Sequence, residues 1–324
     1  MPAMANIGYT MMCEQTPPKQ LVHDVVQAER AGFDYAVISD HYFPWLEEMG
    51  HSPYAWSVLG AAAYATERIP LMTYVTCPIM RYHPAVVAQK AATVGAMSDG
   101  RFTLGLGAGE NLNEHVVGRG WPPANIRHEM FGEAVEIIQA LFEGGYVNYR
   151  GDHFTVDSAK LYDLPDEPVG IGVAASGSQS VDLAAEYGDA LIAVEPDAEL
   201  VERFRASGGE GKPVYGQLAI AYDTDVEAAK ERAHRLWRWF PAGWKVMAEL
   251  PAPVNFAAYS KFVRPDDVTA QVPCGPDVEP VVEGVKRFTD AGFTHVALVQ
   301  IGAPNQRDFL AWSEKELLPA LRAL

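Results

Sequence analysis

AERAGFDYAVISD, residues 28–40, has a counterpart near the other end of the chain: FTDAGFTHVALVQ, residues 288–300. Each runs from the end of a helical stretch through Ala-Gly-Phe into a short apolar run. Glycine after a helix is the residue that turns the chain left-handed at no steric cost, and the β-branched run that follows suits a buried strand. A helix, a glycine turn and a buried strand, used twice, is the repeating unit of a parallel α/β sheet. The two copies differ at their ends. The later one stops on Gln300, whereas the earlier one stops on Asp40-His41, followed by Trp45. In a barrel of such units, polar residues at the carboxyl end of a strand are where chemistry sits.

The same alternation extends outward from these two copies. Strands are predicted at 6–10, 35–39, 69–78, 101–110, 169–176, 190–194, 214–222 and 294–301. Helices are predicted at 19–32, 53–66, 84–98, 126–144 and 180–188, several with apolar residues on one face. Eight strands with helices between them predict an α/β fold, a single (β/α)8 TIM barrel spanning 1–324. Two insertions interrupt it. YVNYRGDHFTV at 146–156 reads as a hairpin within about 145–165, and proline-containing helices and loops fill about 237–276, before the last βα unit. An excursion of that length reads as a lid or binding segment. GLGAGE at 105–110 is a weak match to a dinucleotide fingerprint, because it follows the fourth strand and opens onto Asn111 and Asn113 instead of a long helix.

Composition narrows the partners. Hydrophobic residues make up 48% of the chain and charged residues 21%, as in ordinary globular proteins. The net charge of −17 disfavours nucleic acid and anionic membranes. The densest basic stretch, RAHRLWRWF at 232–240, reads as a solvated helix face. No apolar run reaches membrane-spanning length, and the start MPAMANIGYTMMCEQ does not read as a signal peptide, which predicts a cytoplasmic protein. Cys13, Cys77 and Cys274 are widely spaced with no CxxC pair, so neither a disulfide framework nor a zinc site is expected. Scattered histidines without HExxH predict no catalytic metal. GxSxG and GxxxxGK[ST] are both missing, which removes serine-hydrolase and P-loop readings.

Four polar groups fall at predicted strand ends: Glu14, Asp40-His41, Glu110 and the Ser176-Gly177-Ser178 turn. An imidazole can accept a proton near neutral pH, which suits His41 to general-base work; the alternative is a structural ring bonded to a loop carbonyl. Asp40 could hold that ring or cap a turn. Glu110 could be the acid partner of His41, given a raised pKa, or a helix N-terminal carboxylate. Trp45 could wall a pocket or fill core. Residue type alone leaves Glu14 open.

SDHYFPW, TYVTCPIMRYHPAVVAQKAATVGAMSDGRFTLGLGAGENLNE, GDHFTVDSAKLYDLP and GVAASGS, in this order, resemble the luciferase-like superfamily of barrel oxidoreductases. Within it they resemble the deazaflavin branch, typified by F420-dependent glucose-6-phosphate dehydrogenase. The resemblance runs from about residue 6 to 195 and returns at AGFTHVALVQIG. It implies coenzyme F420, with FMN as the cofactor of the alternative monooxygenase branch and a non-catalytic coenzyme-binding barrel as a third reading. Asp40, Tyr74, Val75, Thr76, Gly107, Glu110, Asn113, Ala175, Ser176, Gly177 and Ser178 match its coenzyme positions. A non-proline cis peptide is implied at the third strand. His41 matches the base that takes a hydroxyl proton, and Glu110 the proton donor to the coenzyme. Trp45 and Glu14 match residues near the reacting carbon. The implied partners are a small-molecule alcohol or carbonyl and a second copy in a homodimer.

One departure bears on the substrate. Sugar-phosphate members hold the phosphate with lysines and an arginine in the second half of the barrel. Here the sixth strand is followed by Glu195, Asp197 and Glu199, which repel a phosphate. Lys261, Arg264, Lys286 and Arg287 are the candidate replacements. Glucose 6-phosphate is therefore not the expected substrate, and the aromatics of the inserted region, Trp237 to Phe262, suit a neutral or apolar alcohol.

Overall fold

A computed structural model of the chain describes residues 5–324. Residues 1–4, where the stretch read as lacking a signal peptide begins, lie outside the described residues.

Eight parallel strands close into a barrel: β1 (Asn6–Met11), β2 (Tyr35–Ile38), β3 (Leu71–Thr73), β4 (Phe102–Leu106), β5 (Gly170–Ala174), β6 (Ala190–Ile192), β7 (Val214–Ile220) and β8 (His295–Gln300). Each pairs with its sequence neighbours, and β8 returns to β1 with His295 opposite Asn6. Closure leaves the barrel itself without an unpaired edge strand among the described residues.

The quoted repeat shows how a unit is built. Helix Pro18–Ala31 opens on a proline, whose missing N–H costs nothing in the first turn, and ends at Gly32 with φ 94°. The next amide, that of Phe33, donates back to Ala28 O, and Asp34 N–H then reaches Ile7 O on β1, starting β2. In the second copy Gly292 has φ 91°, Phe293 N–H donates to Phe288 O, and Thr294 N–H reaches Val214 O on β7. An L side chain at either glycine would strain the turn.

β3 ends early. The sequence predicts a strand to residue 78, but the ladder stops at Thr73, the Tyr74–Val75 peptide bond is cis, and Thr76 rejoins only as a single bridge to Leu106. The cis bond lies where the family resemblance put it. β4 approaches closely at this point: a Cβ on Gly105 would stand 1.9 Å from Thr73 O.

The predicted hairpin is formed by Val147–Arg150 and Thr155–Ala159, antiparallel and outside the barrel. Between Trp237 and residue 276 come short helices at Trp244–Met247, Pro253–Tyr259 and Pro265–Thr269. They pack over the carboxyl end of the barrel in one apolar cluster with Trp45, Leu46 and Leu112. The expectation of a solvated arginine face holds for Arg235, which is exposed, and is corrected for Arg232 and Arg238. Arg232 is nearly buried, pairs with Asp223 at 2.7 Å and donates to the carbonyls of Tyr222 and Ile301, while Arg238 pairs with Glu48. The charges anchor the helix because it runs beside the barrel rim rather than into solvent. No helix among the described residues is long and apolar enough to cross a membrane.

Candidate active site

A cavity of about 720 Å³ opens at the carboxyl ends of the strands, and every strand end contributes to its wall. Glu14, Asp40, His41, Trp45, Tyr74, Val75, Gly107, Glu110, Asn113, Ala175, Ser176, Gly177 and Ser178 all line it. Of the residues predicted for the site, only Thr76 stands behind the wall. Its hydroxyl donates to Asp40 Oδ2 at 2.8 Å.

His41 combines both readings left open by its residue type. Its Nδ1 is 3.1 Å from the carbonyl of Phe43 and 3.1 Å from Glu14 Oε1. Both are acceptors, so the neutral ring carries its proton on Nδ1 and keeps the Nε2 lone pair free. Nε2 faces Glu110, with Oε2 4.0 Å away. Glu14 is itself fixed by Ser39, whose hydroxyl donates to Oε2 at 2.7 Å while accepting from Cys13 N–H. Glu14 thus stands ready to stabilise an imidazolium.

Glu110 also satisfies both of its readings. It is the residue that opens the short helix Asn111–Glu114, and it is a buried acid. Its Oε2 has no hydrogen-bond partner among the described residues. Burial pushes its pKa well above the ordinary carboxyl value, Glu14 and Glu114 push it further, and Arg81 pulls it back. Burial thus favours the protonated form of the carboxyl, beside an imidazole whose Nε2 lone pair can take a proton.

Asp40 is used differently from either sequence reading. Its carboxylate accepts from Trp56 Nε1, Thr76 Oγ1, Arg81 Nη2 and Tyr82 OH at 2.8–3.2 Å. Four donors make it the knot that holds the β2 loop. Asn113 ties the same loop from the other side, its Oδ1 accepting the N–H groups of Tyr42 and Phe43. Trp45 is both core and wall: it stacks on Trp239 at 4.2 Å, meets Phe256 edge-on and lies 4.8 Å from the His41 ring. The inserted segment is latched to the acid as well, with Asn111 N–H donating to Ala248 O and Asn111 Nδ2 to Glu249 O.

Of the candidate phosphate ligands, only Arg287 lines the cavity. Arg264 pairs with Asp267, Lys286 with Asp290, and Lys261 lies over Phe262. Among the acidic trio, Glu195 lines the cavity and Asp197 caps the helix Ala198–Phe204. Sequence reasoning missed Arg81, Glu114 and Lys245. Arg81 holds the site from behind, while Glu114, Lys245 and Arg287 all line the cavity.

Residues 4–295 match the luciferase-like monooxygenase family. The chain belongs to that family. Its relatives include an F420-dependent glucose-6-phosphate dehydrogenase of Beutenbergia cavernae, 35% identical over 99% of this chain and 98% of the relative. Another, of the same name, from Amycolatopsis mediterranei, is 32% identical over 99% of this chain and all of the relative. Among solved structures, an F420-dependent secondary alcohol dehydrogenase in complex with an F420-acetone adduct superposes with a TM-score of 0.90. It is 31% identical and covers 99% of this chain and 100% of that one. A coenzyme F420-dependent tetrahydromethanopterin reductase from Methanopyrus kandleri, 21% identical with a TM-score of 0.79, shares the fold.

Proposed function

We propose that this luciferase-like chain is an F420-dependent oxidoreductase that exchanges a hydride between an alcohol or its carbonyl and the deazaflavin. The observation that carries the reading is the opposed pair in one cavity: His41 with its Nε2 free and the buried Glu110 Oε2, unpartnered among the described residues, 4.0 Å apart.

The cavity residues fit such a coenzyme. At Gly107 a Cβ would stand 2.7 Å from Val75 Cγ2, so the wall is bare backbone where a flat ring needs close approach. The helix Ser178–Tyr187 opens at the same cavity, its first-turn N–H groups suited to an anion on the coenzyme's side chain. Tyr74, Val75, Gly107 and Asn113 would border the ring, and Ala175 to Ser178 the side chain. When bound, the deazaflavin supplies a carbon that accepts or returns a hydride. His41 Nε2 would take the hydroxyl proton as the hydride leaves the carbinol carbon, Glu14 would steady the resulting imidazolium, and Glu110 would supply from its buried carboxyl the proton that accompanies the hydride onto the coenzyme. Trp45, Trp239 and Trp237 exclude water from the reacting carbon.

The substrate we favour is a neutral alcohol, because the wall near His41 is aromatic and Glu195 lines the same cavity. A phosphate-bearing sugar is the second reading. It is favoured by the names of the relatives and by Arg287 and Lys245, which line the cavity and make no ion pair among the described residues. An FMN-dependent monooxygenase has less support, since oxygen activation does not need this acid–base couple. The test is transfer of deuterium from an alcohol labelled at the carbinol carbon into F420. Label in the reduced coenzyme is expected, and unlabelled product would contradict direct transfer.

We also propose a homodimer through the helices Ala55–Ala65 and Pro84–Met97. From Tyr54 to Ala65 and from Val86 to Met97 no exposed position carries a charge, and Tyr64 is 87% exposed. A face with no exposed charge, in a chain of net charge −17, suits a second copy. Sedimentation at micromolar concentration should give twice the monomer mass of 35.4 kDa. Three free cysteines suit a reducing cytoplasm.

A further inference from the structure

Two of the four donors to Asp40 are also walls of a lysine cage. Lys90 is the one charged residue of PAVVAQKAATVGAM, the helix Pro84–Met97. Its Nζ is buried and has no hydrogen-bond partner among the described residues. That Nζ lies 3.2 Å from the centroid of the Tyr82 ring, 5.1 Å from that of Tyr54 and 5.5 Å from that of Trp56. Three aromatic rings therefore stand where water or a carboxylate would otherwise hold the ammonium. The same Tyr82 donates its hydroxyl to Asp40 Oδ1 at 3.2 Å, and the same Trp56 donates its Nε1–H to Asp40 Oδ2 at 3.1 Å. Tyr82 and Trp56 thus each touch the cation with the ring and the carboxylate with the polar edge.

A cation against an aromatic ring draws π density toward itself and leaves the ring's O–H or N–H more positive. Such a group is a better donor to a carboxylate. Asp40 adjoins His41 in the chain, and its donors fix the β2 loop that carries the base. The charged groups that act on Lys90 are Asp40, beyond the shared rings, and Arg81, whose guanidinium lies 4.7 Å from the Tyr82 centroid. Tyr54 and Tyr82 are the titratable rings of the cage, and the helix Ala55–Ala65 beside it carries no charge. We propose that Lys90 is a positioning residue: through Tyr82 and Trp56 it tightens the clamp on Asp40 and so the placement of His41. The purpose of the clamp rests on the oxidoreductase reading, but its measurement does not.

Burial lowers Lys90 to about 8 against the pull of Asp40, with Arg81 adding to the fall, so the cation can be titrated away in the folded protein. The experiment follows the indole N–H resonance of Trp56 by NMR in protein without added coenzyme, assigned by its loss in Trp56→Phe. In the unsubstituted protein it should move upfield as pH passes about 8, because the bond to Asp40 weakens when the ammonium is lost. In Lys90→Met it should stand upfield throughout and show no such step. In Lys90→Arg it should stay downfield, since a guanidinium keeps its charge. Lys90→Met should also lower kcat about fivefold with the alcohol KM nearly unchanged, and Lys90→Arg should restore most of the loss. A missing step in the unsubstituted protein, or a step that survives in Lys90→Met, would overturn the proposal. So would an unchanged kcat in Lys90→Met, or a Lys90→Arg as slow as Lys90→Met, because packing alone would then account for the side chain. A step that vanishes in Lys90→Met, in a protein that turns over no alcohol or carbonyl, would sustain the clamp and sink the oxidoreductase reading, so the two failures are distinguishable.

Discussion

His41 Nε2 stands 4.0 Å from Glu110 Oε2, while its Nδ1 is held between Glu14 Oε1 and the carbonyl of Phe43. One nitrogen is committed to the protein and the other is free toward the cavity. His41→Ala should therefore lower turnover on the order of 100-fold or more while F420 affinity stays nearly unchanged. Steady-state kinetics beside a binding titration checks this. Lost affinity with normal turnover at saturation would place His41 on the coenzyme instead of the substrate.

Glu110→Gln should abolish proton donation yet stabilise the protein as pH rises. The folded pKa of Glu110 lies well above its ordinary 4.5. Stability linked to that group is fully present below about 4.5 and is lost as pH climbs toward the folded value, because the unfolded chain ionises first. An amide does not titrate. The melting-temperature difference, Glu110→Gln minus unsubstituted, should grow from pH 5 to pH 8, and a flat difference would contradict the raised pKa.

Much of this was legible in the sequence. The AGF repeat fixes the helix, turn and strand unit because glycine at positive φ and a β-branched run are local demands that residue type answers. Asp40, His41, Glu110 and the 176–178 turn could be found as polar residues at strand ends. Glu114 and Arg81 could not. An acid four residues along a helix looks like a solvated face until the loop after β3 lays Arg81 against it, and Arg81 meets Asp40 only because β2 and β3 pair side by side. The early end of β3 was hidden as well, since nothing in TYVTCP marks a break in the ladder.

The close approach of β3 and β4 predicts a stability effect. Gly105→Ala places a methyl 1.9 Å from Thr73 O, an overlap that backbone must absorb. A loss of about 1–3 kcal/mol is expected in chemical denaturation, in line with overpacking elsewhere. An unchanged midpoint would mean that the two strands separate freely.

Trp239 stacks on Trp45 at 4.2 Å and both line the cavity. Trp239→Ala should raise KM for apolar alcohols roughly tenfold through lost aromatic area. F420 affinity should change little, since the stack lies on the His41 side of the cavity. A larger effect on the coenzyme than on the alcohol would reverse the assignment of that wall.

The most direct test is to titrate the protein separately with F420 and FMN by tryptophan fluorescence, then add secondary alcohols and glucose 6-phosphate and follow F420 absorbance. The account predicts preference for F420, bleaching on a neutral alcohol, and no comparable bleaching with His41→Ala. Preference for FMN, with F420 unbleached by any alcohol and its reduced form unoxidised by any carbonyl, would contradict it.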